Sequence, residues 1–207
     1  PPRSTPKPSS AASDVYKRQL RNGGNAVDAT VATLFALTVV EPMMVGVLGG
    51  GIAHIRTKDG RHIIIDGLST APYNVSETLY QTVSDELPNY RDTVGRKNLL
   101  GTLSISVQGA LAGWCHALDQ YGSWSYADVI GPAIRLAEGG FVTTPYLVDC
   151  IVDFQADLQR DAGLARIFLP NGQPLRIGER LVQPEYRQTL RSIVDHGPES
   201  VSYTHLT

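Results

Sequence analysis

No stretch of the chain is both long and apolar enough to span a bilayer. The richest run, residues 26–40, is broken by Asp28, Thr30, Thr33 and Thr38. No basic cluster of the kind that holds nucleic acid is present. Cysteine is scarce: Cys115 and Cys150 stand too far apart for a close-spaced metal motif, which leaves a disulfide open and favours two buried free thiols. His54, His62, His116 and His196 are scattered and show no metal-ligand spacing. The first residues contain no apolar stretch of signal-peptide type, an absence that carries no meaning if the native start is missing. What is present is ordinary globular composition: 207 residues, 42% hydrophobic, 18% charged, net charge −2. That suffices for one substantial domain with its own core.

The two ends read differently from the rest. Residues 9–19 spell SSAASDVYKRQ, the translation of a transposase-type sequencing adapter in one frame. Residues 1–5 match the translated end of the companion flow-cell oligonucleotide, with index bases completing Pro6, Lys7 and Pro8. Residues 201–207 spell VSYTHLT, which the reverse complement of the same adapter encodes, its first two bases closing the codon of Ser200. Segments 1–19 and 200–207 are therefore expected to be adapter-derived and disordered, making few contacts, with the native segment at 20–199. Residues 1–19 carry four basic side chains (Arg3, Lys7, Lys17, Arg18) and one acidic (Asp14), so the remainder holds 14 basic and 19 acidic residues, near −5.

Within the native segment, Asn25 is placed to cap a helix over 26–39, its side-chain oxygen answering a free backbone N–H. That helix is small or apolar on nearly every side and should be buried. Pro42 ends it. A glycine-rich loop, 43–51, leads into two strands, 52–56 and 62–66, joined by the turn Lys58-Asp59-Gly60. The unbroken run Ile63-Ile64-Ile65 predicts a strand covered on both faces. A mixed segment follows to about residue 98, with a further strand expected over 101–107. Helices are expected over 109–121, over 126–138 with Pro132 inside and Gly139-Gly140 at its end, from Pro145, and over 181–196. Asn171-Gly172 marks a turn. The sum is one α+β domain with a layered sheet and several helices.

Several strings, in order, resemble gamma-glutamyltranspeptidases: GGNAVDA at 23–29, Val40-Glu41-Pro42, GVLGGG at 46–51, Asp66-Gly67, Ala71-Pro72, residues 107–113, PAIRLAEGGF at 132–141, and Gln183-Pro184. Each is weak alone; their order and spacing together carry the resemblance. It implies the N-terminal part of the large subunit of an N-terminal-nucleophile hydrolase, an incomplete αββα sandwich. Such proteins are made as precursors that cleave themselves, and the new N-terminal threonine attacks an acyl donor with its own amine as base. The resemblance places that nucleophile in the small subunit of the same precursor, outside this chain, so no catalytic residue is assigned here. Tyr203-Thr204-His205-Leu206 looks like the Thr-Thr-His junction of the family but is accounted for by the adapter. The partners implied are the small subunit and a small-molecule gamma-glutamyl or related amide substrate. No cofactor or metal is implied.

Individual residues divide between structure and chemistry. Gly46 to Gly51 lacks the Lys-Ser/Thr of a phosphate-binding loop and is followed by a strand, so it reads as a tight loop under the sheet. Asp28 and Glu41 read as structural carboxylates bonded to nearby backbone, and Trp114 and Trp124 as core or interface aromatics. The substrate-binding candidates are Leu68 and Ser69. The family typically carries Arg-Glu there, the arginine gripping the alpha-carboxylate of a gamma-glutamyl donor with its guanidinium fork. Leucine offers no donor. The whole protein is therefore expected to transfer or hydrolyse a gamma-glutamyl or related small amide. The alternatives are an acylase for a non-glutamyl amide, and a catalytically dead relative serving as a binding or structural protein.

Overall fold

The computed structural model describes residues 10–86 and 91–201. Its element order is α1 (Ser10–Arg21), α2 (Ala26–Val40), β1 (Gly51–Arg56), β2 (His62–Gly67), α3 (Ala110–Tyr121), α4 (Tyr126–Gly139), β3 (Phe141–Val142), α5 (Pro145–Asp153), α6 (Gln155–Leu158), α7 (Ala162–Phe168), β4 (Arg180–Leu181) and α8 (Pro184–His196). Mixed helix and sheet match the α+β expectation.

The central element is α2. Asn25 and Asp28 form a capping box: Asn25 Oδ1 accepts from the N–H groups of Val27 and Asp28, and Asp28 Oδ2 accepts from Asn25 N at 2.7 Å. Ala29, Ala32, Phe35, Ala36 and Val39 lose all contact with solvent, as a helix apolar all round requires. Helices α1 and α4 pack on it, and α8 packs on α4. The last carbonyls of a helix lack intrahelical partners; here the buried Gln183 side chain donates to Val39 O at 2.8 Å. Trp114 meets Phe35 edge-on, ring centroids 5.4 Å apart, and Trp124 packs against the same core.

The expectation that residues 1–19 are irregular and uncommitted is corrected for residues 10–19. They lie in α1, where Ala12 and Val15 join the core and Gln19 is buried. The cause is spacing: Ala12, Val15 and Gln19 fall on one helical face. Gln19 also has a polar task. Pro132 has no N–H for the carbonyl of Asp128, four residues back in α4, and Gln19 Nε2 donates to that carbonyl at 3.1 Å. Residues 1–9 and 202–207 lie outside the described residues, as does the Thr204-His205 string.

Strands β1 and β2 pair antiparallel with Gly51 opposite Gly67 and Arg56 opposite His62. One face, bearing Ala53, Ile55, Ile63 and Ile65, lies against α3. The opposite face is open, so the expectation of two covered faces is corrected: Ile52 and Ile64 are 59% and 61% exposed. The strand expected over 101–107 is replaced by a 3₁₀ turn at Thr102–Ser104 and a single bridge between Thr70 and Val107. Leu103 and Ile105 there face solvent, and no strand among the described residues pairs with them. The helix expected over 181–196 starts at Pro184, because Arg180–Leu181 pairs instead with Phe141–Val142 as a short sheet. Both cysteines are free; Cys115 is buried, and Cys150 is half-buried rather than buried. Burial of Cys115 in α3 pushes its thiol pKa up to about 12, which keeps it protonated and inert at neutral pH.

Candidate functional site

Leu68 and Ser69 leave the end of β2 on a short irregular link, and both are exposed. An Asx turn fixes the link's start: Leu68 N donates to Asp66 Oδ1 at 3.0 Å. Two residues on, Thr70 and Val107 exchange both backbone hydrogen bonds at 2.9 Å. The two substrate-binding candidates thus hang between two fixed points.

Glycines make that geometry achievable. A Cβ on Gly109 would sit 2.6 Å from Gly67 O and 2.8 Å from Leu68 O, both backbone atoms. A Cβ on Gly50 would sit 2.6 Å from Ser69 N and 2.7 Å from Ser69 Oγ. Gly49 O accepts from the N–H groups of Gly109 and Ala110 at 3.2 and 3.0 Å, which ties the glycine-rich loop to the start of α3. Three chain segments therefore meet backbone to backbone around the Leu68-Ser69 link, at a distance only glycine permits. The loop 46–51 is the tight loop under the sheet that its composition suggests, with the added task of seating Ser69. Sequence reading missed the roles of Asp66 and Gly109; the Asp-Gly pair and the isolated Gly-Ala start of α3 were the signals.

Beside this point, a groove of about 660 Å³ runs between α2, β1 and α3. Val27, Leu34, Ala53, Ile55 and Trp114 line it, and the glycine loop closes one side. It is predominantly apolar, and Leu68 and Ser69 are not part of its wall. Among the described residues, no group of three or more His, Cys, Asp or Glu could hold a metal ion, and no helix is long and apolar enough to cross a membrane.

Asp28 lies below the cap of α2 with no solvent exposure. Its carboxylate accepts from Ser123 Oγ (2.6 Å), Ser123 N (2.8 Å) and Trp124 N (3.1 Å) as well as from Asn25 N. Burial raises its pKa, but the Ser123 hydroxyl and the three N–H groups outweigh burial and hold it below the ordinary value. This is the structural carboxylate expected, joining α2 to the α3–α4 turn. Glu41 does not fit the same expectation: it caps α2 through its own N–H to Leu37 O, and its carboxylate takes no hydrogen bond among the described residues. Its half-exposed position leaves water to solvate the charge.

The sequence profile of the family described as gamma-glutamyltranspeptidase matches residues 12–205. The chain is 56% identical over 179 residues to the acylase ACY 1 proenzyme of a Pseudomonas species, covering 86% of this chain and 32% of that protein. It is 37% identical over 192 residues to the glutathione hydrolase proenzyme of Bacillus subtilis, covering 91% of this chain and 31% of that protein. The crystal structure of Helicobacter pylori gamma-glutamyltranspeptidase superposes with a TM-score of 0.81 at 27% identity, over 96% of this chain and 54% of that one. The chain spans about a third of the length of the curated relatives it matches.

Proposed function

Since this chain belongs to the gamma-glutamyltranspeptidase family, we propose that the whole protein is an amide acylase of that family, with a donor site that does not select an alpha-amino acid head. The observation that carries the reading is Leu68-Ser69 at the position where the family resemblance expects Arg-Glu. An apolar side chain, 52% exposed on a link pinned at both ends, supplies no hydrogen-bond donor for a carboxylate. The higher identity to an acylase proenzyme than to a glutathione hydrolase proenzyme points the same way.

In this reading the chemistry is acyl transfer or hydrolysis by an N-terminal threonine supplied by the rest of a self-cleaving precursor; the relatives are proenzymes. This chain contributes the scaffold that sets Leu68 and Ser69. The apolar groove and the open face of the β1–β2 hairpin are surfaces for the remainder of the precursor to cover.

The test is Leu68→Arg, alone and with Ser69→Glu, in the full-length protein. A charge-assisted hydrogen bond contributes about 1.5–3 kcal/mol, so restoring it should improve kcat/KM for a gamma-glutamyl anilide by roughly 10–150-fold. No gain in either variant would mean that another residue supplies the carboxylate site.

A further inference from the structure

The Leu68-Ser69 link has a neighbour across from it. Thr70 and Val107 exchange both backbone hydrogen bonds at 2.9 Å as an antiparallel pair. One residue further toward the link, that register sets Gln108 across from Ser69. The two segments stay close beyond that point, since a Cβ on Gly109 would lie 2.8 Å from Leu68 O. Gln108 is half-buried, and its Oε1 is buried with no hydrogen-bond partner among the described residues. Buried polar atoms are almost always paired, and an unpaired one costs stability. The more deeply buried Gln19 and Gln183 each answer a helix carbonyl. Gln108 has no such structural task.

We infer that Gln108 is a specificity-determining residue of the donor site, selecting an acyl group that ends in a neutral carboxamide. The inference rests on the reading of Leu68-Ser69 as the donor site. A carboxamide both donates and accepts. A primary amide on the acyl chain can therefore give an N–H to Gln108 Oε1 and accept one from Nε2. A carboxylate brings acceptors only: it pairs with Nε2 and sets its charge against the lone pairs of Oε1. An apolar tail leaves Oε1 unpaired. No donor within the described residues holds that oxygen inward, and the last torsion of glutamine is soft. Presenting it to a substrate thus breaks no hydrogen bond. Ser69, exposed across from it, adds a hydroxyl that can donate or accept at the same place.

The test is kcat/KM of the full-length protein on anilides of three matched acyl chains, over a short series of chain lengths. The chains end in a carboxamide, in an isopropyl group of the same shape, and in a carboxylate. At one chain length the carboxamide should be preferred over the isopropyl group by roughly 10–100-fold. Gln108→Leu should bring the carboxamide donor down to the level of the isopropyl donor. Gln108→Met, an unbranched side chain of similar length, should do the same if leucine disturbs the fold, and circular dichroism verifies folding. A merely structural role would lower all three donors alike. The inference is overturned by the absence of a carboxamide preference in the parent, by a preference that survives both variants, or by an equal loss on every donor. That last result would make Gln108 a packing contact for the rest of the precursor. Turnover of glutathione ahead of all three anilides would overturn the donor-site reading and this inference with it, whereas turnover of the three without a carboxamide preference would overturn this inference alone.

Discussion

Asp28 keeps a charge without solvent because the N–H groups of Asn25, Ser123 and Trp124 and the Ser123 hydroxyl all donate to it. Asp28→Ala removes half of the capping box and strands buried donors, so urea denaturation should show a loss of about 2–4 kcal/mol. The pH sign follows from the depressed folded pKa. The carboxylate's contribution is complete above the ordinary value of 3.8 and is lost as pH falls through the lower folded value. The stability gap between parent and variant should therefore narrow as pH drops below that ordinary value. That Asp28 is structural was legible from a carboxylate on an apolar helix. Its partners were not, since Ser123 and Trp124 come from a turn between later helices. The hydrogen-bonded contact between His54 and His62 escaped for a related reason: only the hairpin register makes them neighbours. Leu68 stood out only against the family pattern, because a lone exposed leucine carries no signal of its own.

Helix α1 shows what a reading by resemblance to a reagent leaves out. Residues 9–19 match a translated adapter, a statement about origin, yet alanine and valine at helical spacing pack wherever an apolar face awaits them. The consequence is testable at Gln19, which answers the carbonyl that Pro132 frees. Gln19→Leu should cost about 1–3 kcal/mol by leaving that acceptor unpaired, and a second change of Pro132→Ala should recover part of the loss. Capped elements were legible to within a residue or two, as at Asn25, Thr144-Pro145 and Gly139-Gly140. Residues 101–107 were not, because alternating apolar residues make a strand only where another strand offers its edge. The glycine contacts yield a further expectation. Gly109→Ala forces a Cβ into the backbone of Gly67 and Leu68 and should cost about 1–3 kcal/mol. Gly139→Ala, where the space is open, should be neutral or slightly stabilising. Thermal melts of the two variants separate these outcomes.

For the molecule as a whole, the described residues leave an apolar groove and an open strand face bearing Ile52 and Ile64. Surfaces of this kind bind partners or promote aggregation. The isolated 207-residue chain should bind an apolar dye more strongly, residue for residue, than the matured full-length protein, and should release no product from a gamma-glutamyl anilide. Dye binding no greater than in the full-length protein would show that these surfaces are not where the remainder packs. Donor choice is read from kcat/KM: the full-length protein is assayed with glutathione and with a simple acyl amide lacking an alpha-amino acid head. Loss of a carboxylate-binding arginine weakens donor binding by roughly 10–150-fold, and loss of orientation near a nucleophile can cost about 100-fold more. The acyl amide should be preferred by at least about tenfold. Equal or better turnover of glutathione, with Leu68→Arg giving no gain, would contradict it.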